Sequence, residues 1–509
     1  MTRAGSAALA TDDSPTLAPK PRRQYQIDAL LVVALLAVAV QIRRSPLGPP
    51  SLWLDDAWPA LVSRVSWSDV PLVGLTSPGF SAVVKAWTNF VGFSEYHAQQ
   101  PAFFFGVLGP PTVYLIARRL GLRAPAALVA AAILLVSRNH VIYSSRVKQY
   151  TLDCLLSALI ILVAVLLLEH PERARRWALL VATAAVATVA SSLVLPMVSG
   201  AFLAGAHAAW KRRDARRVAA SAIGAYGVFA FAWWILVLRP RINPVLRSYW
   251  SAFYIRRDRH FPRDLGVDIW RLAHGLSWAP TLVSFVVLVA AAVVVIRKRS
   301  DLAILLLSPV VVAAGLATLR IAPLGVGRTD LNLYPALALI VGVAVSELRI
   351  KALSTSALVV VMLVAIAATY RPAPSYPAEH MRSAVAYLEG NARPNDRVLL
   401  YWAGRFSYAL YAHDSGFTVR RSEKTAEGFE VRIDRPNLVV LPDHERDKDE
   451  YAPVLARLTQ NQDRVWFIGS HGRFDVVTVE KDLKALGYNS TRRPGDTNRA
   501  FVTLWTKGP

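Results

Sequence analysis

Two adjacent carboxylates lie in an apolar, tryptophan-rich stretch, Leu52-Trp53-Leu54-Asp55-Asp56-Ala57-Trp58. A carboxylate set at a membrane is costly and tends to be kept for function. An ionised Asp can take the proton of an attacking hydroxyl as a general base. Two side by side could also bind a divalent cation, but no clear set of further ligands accompanies them, so no metal site is fixed. The structural alternative is a helix cap, because Asp is a good N-cap for the stretch that follows.

A second cluster reads Tyr143-Ser144-Ser145-Arg146-Val147-Lys148-Gln149-Tyr150-Thr151-Leu152-Asp153. On a helix, Arg146, Tyr150 and Asp153 fall at i, i+4 and i+7 and share a face. Asp153 sits a turn into an apolar run and needs a partner, most simply Arg146 or Lys148. The plain alternative is an interfacial belt of Arg, Lys and Tyr. A third cluster is Gly325-Val326-Gly327-Arg328-Thr329-Asp330, followed by Leu331-Asn332-Leu333-Tyr334-Pro335. Two glycines allow a tight turn, and the turn presents Arg328 at the mouth of the next apolar run. A guanidinium there can hold phosphate oxygens through two parallel hydrogen bonds, with Lys148 as a second point charge. The alternatives are a snorkelling Arg in an ordinary loop, or an Arg328–Asp330 pair that pins the loop.

The elements that must position these residues are membrane helices. A span needs about 20 mostly apolar residues. Candidate cores are 27–42, 102–117, 124–136, 152–168, 177–195, 196–210, 218–238, 279–296, 302–319, 331–348 and 353–368. The expectation is an α-helical polytopic membrane protein of about eleven spans, followed by a soluble α/β domain. The segment before the first run, 1–23, reads as a disordered tail, and its basic end, Lys20-Pro21-Arg22-Arg23, places it in the cytoplasm. Alternate loops are then basic: Arg118, Arg119 and Arg123; Arg173, Arg175 and Arg176; Lys211, Arg212, Arg213, Arg216 and Arg217; Arg297, Lys298 and Arg299; Arg349 and Lys351. That parity puts all three clusters, and the C-terminus, on the side opposite the cytoplasm.

The same distribution explains a formal net charge of +23 without nucleic acid. Hydrophobic residues make up 54% of the chain, concentrated before residue 370. Cys154 is the single cysteine, so no internal disulfide is possible. Two outside loops are long, 43–100 and 239–278. The first carries amphipathic stretches at 57–70 and 81–91. The second holds Arg239, Arg241, Arg247, Arg256, Arg257, Arg259 and Arg263, charges that orientation does not need. Arg256 and Arg257 are candidates to guide anionic lipid headgroups. The membrane domain is thus 24–369. Residues 370–509 alternate strands (397–402, 437–442, 465–469, 501–506) with helices (378–388, 450–460, 476–486), the pattern of an α/β sandwich. No P-loop or GxGxxG is present.

The acidic pair in the first loop, Tyr-Ser-x-x-x-Lys-Gln-Tyr before the fourth span, Gly-x-Gly-Arg-x-Asp-Leu-x-Leu-x-Pro before a late span and an extracytoplasmic tail domain form a set. It resembles the GT-C glycosyltransferase superfamily over about 25–370, and most of all bacterial members grouped with protein O-mannosyltransferases and lipid A aminoarabinose transferases. The resemblance implies transfer of a sugar from a polyprenyl-phosphate carrier to a glycan, lipid or protein acceptor outside the cytoplasm. Asp55 and Asp56 would be catalytic, and Arg328, Lys148, Arg146, Arg256 and Arg257 would face the donor phosphate. Tyr150, Asp153 and Asp330 complete the expected site. Three departures stand out. The family often has Asp-Glu where this chain has Asp55-Asp56, and a Glu where Arg146 stands. A His-Pro-Pro-like stretch is replaced by Thr76-Ser77-Pro78-Gly79. Two rival classes fit some of the same features. One is a transporter or flippase of lipid-linked sugars, against which no internal repeat relates the two halves. The other is a non-catalytic envelope scaffold.

Overall fold

Wherever the structure describes them, the apolar runs are helices. The structure, a computed structural model, describes residues 22–44, 47–49, 51–74, 77–241, 244–276, 279–347, 379–425, 427–442, 451–470, 474–492 and 500–508. The apolar runs lie in helices Arg22–Arg43, Glu95–Arg119, Ala124–Leu135, Tyr150–Glu169, Ala174–Ala190, Leu195–Trp210, Arg213–Trp233, Thr281–Lys298, Ser300–Thr318 and Tyr334–Glu347. Among the described residues, 6 helices are long and apolar enough to cross a membrane. Two further apolar helices, Ala124–Leu135 and Leu331–Glu347, are shorter. The eleventh candidate run, 353–368, and the tail 1–21 lie outside the described residues.

Burial sorts the helices by position. Tyr150–Glu169 and Tyr334–Glu347 are buried over most of their length and form the centre of the bundle. Thr281–Lys298 instead exposes Leu282, Val283, Val286, Val287, Val293 and Ile296. An apolar outer face is what lipid contact requires, because the backbone is already satisfied within the helix.

Three arginines of the basic loops pair with carboxylates of other segments. Arg118 Nε lies 2.9 Å from Asp28, Arg119 2.7 Å from Glu169, and Arg212 2.9 Å from Glu172. The three candidate clusters meet at another place in the fold, as described below.

Residues 379–508 form a second body. β1 (Arg397–Leu400) pairs in parallel with β4 (Leu438–Val440) and β5 (Arg464–Ser470). The antiparallel strands β7 (Ala500–Lys507) and β6 (Tyr488–Arg492) extend the sheet in the order β4-β1-β5-β7-β6. A separate hairpin joins β2 (Gly416–Arg421) to β3 (Phe429–Asp434). Helices Met381–Asn391, Arg405–Tyr411, Tyr451–Thr459 and Phe474–Ala485 accompany the strands. The expected strands and helices are present, but β2, β3, β6 and helix Arg405–Tyr411 were not foreseen. The β2 segment, Gly-Phe-Thr-Val-Arg-Arg, is short and mixed in polarity, and it pairs with the next strand, β3.

This body packs on the first long loop. Buried residues of 52–102 and of 381–505 share one apolar core. The Trp58 and Phe429 rings are 6.2 Å apart.

Candidate active site

The acidic pair occupies the first turn of helix Leu54–Ala60. Trp53 stands at the N-cap without a side-chain cap. Neither Asp caps its own helix, so the capping alternative is not what the structure shows. Each reaches across to another segment. Asp56 is buried; its Oδ2 lies 2.7 Å from Arg146 Nε, and its Oδ1 accepts from the Val147 amide at 3.0 Å. Asp55 is partly open, and Arg328 Nη1 donates to its Oδ2 at 2.9 Å.

Each cation also lies on an aromatic face. Arg146 stands 4.9 Å from the Trp53 ring centroid, Lys148 Nζ 4.1 Å from that of Trp58, and Arg328 4.9 Å from that of Trp250. The quadrupole of a tryptophan ring attracts a cation without neutralising it. Lys148 is buried. It borders a small cavity lined also by Trp58, Ser77, Phe80, Ser81 and Gln149.

These charges set one another's protonation. Burial disfavours the Asp55 carboxylate, but Lys148, Arg328 and Arg146 outweigh it and hold the carboxyl below its ordinary range. Desolvation pushes Asp56 up in spite of Arg146 and Lys148. Burial brings Lys148 down to about 8, against the pull of Asp55.

The glycine turn is held from both sides. Gly325 and Gly327 have φ of 76° and 87°, a region that side chains avoid. Their amides donate to Asp330 Oδ1 and Oδ2 at 3.2 and 2.6 Å. Asn139 Nδ2 donates to the Gly327 carbonyl at 3.0 Å. Burial pushes Asp330 up to about 6, with the glycine amides opposing it. The alternative of an Arg328–Asp330 pin is therefore not what the structure shows. Asp330 is consumed by backbone amides, which frees Arg328 to reach Asp55.

Two expectations for the second cluster are corrected. Residues 144–149 are turns, and the helix begins at Tyr150, so Arg146 does not share a helical face with Tyr150 and Asp153. Asp153 pairs with neither Arg146 nor Lys148. It is buried beside Ser191, while Arg146 turns to Asp56. Tyr150 packs edge-on against Tyr143 at 5.0 Å, close to Arg328.

The arginine-rich loop is engaged elsewhere. Arg256 makes a two-pronged pair with Asp264 at 2.8 and 3.0 Å, and Arg257 donates to the Thr318 carbonyl at 2.9 Å. No described contact brings either to the acidic pair.

One supporting group was missed in the sequence. Arg43, fully buried at the end of the first helix, donates to Ser144 Oγ at 3.1 Å and to the Leu135 carbonyl at 3.0 Å. It also lies 2.8 Å from His140 Nδ1. It ties the first helix to the segment that carries Arg146 and Lys148. Its position at the end of an apolar run looked like an ordinary flanking charge, and nothing local marked it.

The acidic pair does not suit a divalent cation. Asp55 and Asp56 already face Arg328 and Arg146, with Lys148 beside them, so positive charge outnumbers negative. No group of three or more metal-ligating side chains occurs among the described residues.

Neither a family model nor a curated protein matches the sequence. Solved structures do match the fold. ArnT from Cupriavidus metallidurans bound to undecaprenyl phosphate superposes with a TM-score of 0.57 at 13% identity, over 96% of this chain and 100% of that one. The chain has the GT-C fold. Other GT-C structures align similarly. Arabinofuranosyltransferase AftD from Mycobacteria gives 0.52 at 14% identity, over 96% of this chain and 40% of that one. The Archaeoglobus fulgidus oligosaccharyltransferase in complex with Zn and sulfate gives 0.52 at 14% identity, over 92% and 72%. Within the GT-C fold of this chain, the first loop, the segment before helix Tyr150–Glu169 and the glycine turn converge on one charged cluster.

Proposed function

We propose that this protein is an inverting glycosyltransferase that moves a sugar from a polyprenyl-phosphate donor to a hydroxyl of an envelope acceptor. The observation that carries this reading is the convergence of Asp55, Arg328 and the buried Lys148 at one site. A carboxylate next to a surplus of cations suits a reaction that removes a proton at one point and gathers negative charge at another. The ArnT structure with undecaprenyl phosphate supports a lipid phosphate as the ligand of such a site.

In the proposed step the acceptor oxygen attacks the anomeric carbon and its proton passes to Asp55. The bond between that carbon and the phosphate oxygen breaks, and the electron pair leaves with the polyprenyl phosphate. Lys148 and Arg328 neutralise the developing charge, so no general acid is needed. One displacement inverts the anomeric centre. Asp56 acts at one remove, holding Arg146 and the Val147 amide and so fixing where Lys148 stands. On this reading the site lies on the extracytoplasmic side of a plasma membrane, with the N-terminus in the cytoplasm, in keeping with the alternation of basic loops along the sequence. Arg256 and Arg257 serve the membrane surface and its headgroups rather than the donor.

The test is sugar transfer by the purified protein in liposomes, given radiolabelled polyprenyl-phosphate sugars and extracted envelope glycans, lipids and proteins. A labelled glycosidic product supports the reading. Label crossing vesicles without a new bond would point to transport instead.

A further inference from the structure

The C-terminal body grips the acidic helix on both sides. Helix Leu54–Ala60 has seven residues, Pro59 inside it and no side-chain N-cap. A helix that short does not hold itself together in isolation, so its first turn is only as rigid as its tertiary contacts. Before the helix, the Leu52 amide donates to the Tyr411 hydroxyl at 2.7 Å, and the Arg382 amide donates to Ser51 Oγ at 3.1 Å. Arg382 also pairs with Glu95 at 2.6 Å and lies 5.3 Å from the Tyr411 ring centroid. After the helix, Arg64 Nη1 donates to the carbonyls of Ala409, Leu410 and Ala412 at 2.7, 3.1 and 2.7 Å. The first two are carbonyls left open in the last turn of helix Arg405–Tyr411, and Ala412 is its C-cap.

We propose that Tyr411, on the C-terminal body, is a positioning residue for Asp55, and that this body is an integral part of the catalytic site rather than an independent acceptor module. Tyr411 touches no reacting atom. It fixes the backbone three residues before Asp55, while Arg64 fixes the far end. Donor-facing Lys148 and Arg328 are carried on other segments, the turns at 144–149 and the glycine turn, so the grip reaches them only through Asp55, Asp56 and Trp58. The proposal rests on the glycosyltransfer reading for its kinetic arm alone.

The test uses the full-length protein with Tyr411→Phe, which keeps the ring and deletes the hydroxyl. Turnover should fall about 10- to 100-fold, the scale of a small misplacement of a reacting group, with the KM for donor unchanged. Amide exchange should rise over 52–57 and stay as in the wild type over β1. Arg64→Lys keeps the charge but cannot reach three carbonyls, and should show the same split. If β1 also loosens in Tyr411→Phe, Ser51→Ala, which removes a single bond, replaces it. Wild-type turnover with unchanged exchange over 52–57 would overturn the proposal. So would a raised donor KM at constant turnover. A wild-type protein that transfers no sugar would refute the glycosyltransfer reading instead, and the exchange measurement would still decide the positioning role.

Discussion

Arg328 and Asp55 neutralise each other across 2.9 Å, although they lie 273 residues apart in sequence. One is the proposed phosphate clamp and the other the proposed base. A donor phosphate that takes the guanidinium would leave Asp55 unpaired and more basic, so donor binding would prepare the base for the acceptor.

Removing the base should therefore separate binding from turnover. Asp55→Asn is nearly isosteric and should lower transfer by about 10²–10⁴-fold, the size expected of a general base. Donor binding should survive. Wild-type turnover in this variant, measured with labelled donor, would place the base elsewhere.

The clamp and its turn can be told apart. Arg328→Lys retains a charge and loses the fork, so donor affinity should fall while the fold persists. Asp330→Asn leaves one of two glycine amides without its acceptor, at a cost of about 1–3 kcal/mol. It should lower thermal stability and donor affinity together. Donor titrations and melting curves on both variants check this, and unchanged affinity in Arg328→Ala would rule the clamp out.

The pH profile should be bounded by Asp55 and Lys148. Asp55 works deprotonated and is held below the ordinary carboxylate range, so activity should persist into mildly acid conditions. Lys148 works protonated and loses its proton around pH 8, so activity should decline as pH rises through that value. Lys148→Arg cannot deprotonate there, and its alkaline limb should move upward. An identical limb in wild type and variant would remove Lys148 from the site.

Topology offers an independent check. A reporter active only in the cytoplasm, fused after Pro509, should be silent. Strong activity would place the C-terminal body, and with it the site, on the wrong side for a lipid-phosphate donor presented outside.

The apolar helices follow from composition, because apolar length is a local property that a bilayer reads directly. The three charged clusters were legible for the same reason: charges among apolar residues stand out. Partner choice was not legible. Arg146 meets Asp56 instead of Asp153, and Arg328 meets Asp55 instead of Asp330, because the chain turns at 144–149 and because two glycine amides claim Asp330. Pairings between residues that are far apart in sequence depend on which helix ends converge, and no local pattern encodes that. Arg43 beneath Ser144 and Tyr411 against Leu52 belong to the same class. The residue types capable of the chemistry were fixed by the sequence alone, whereas tertiary packing decided which carboxylate is held by the backbone and which faces a cation that a ligand could take.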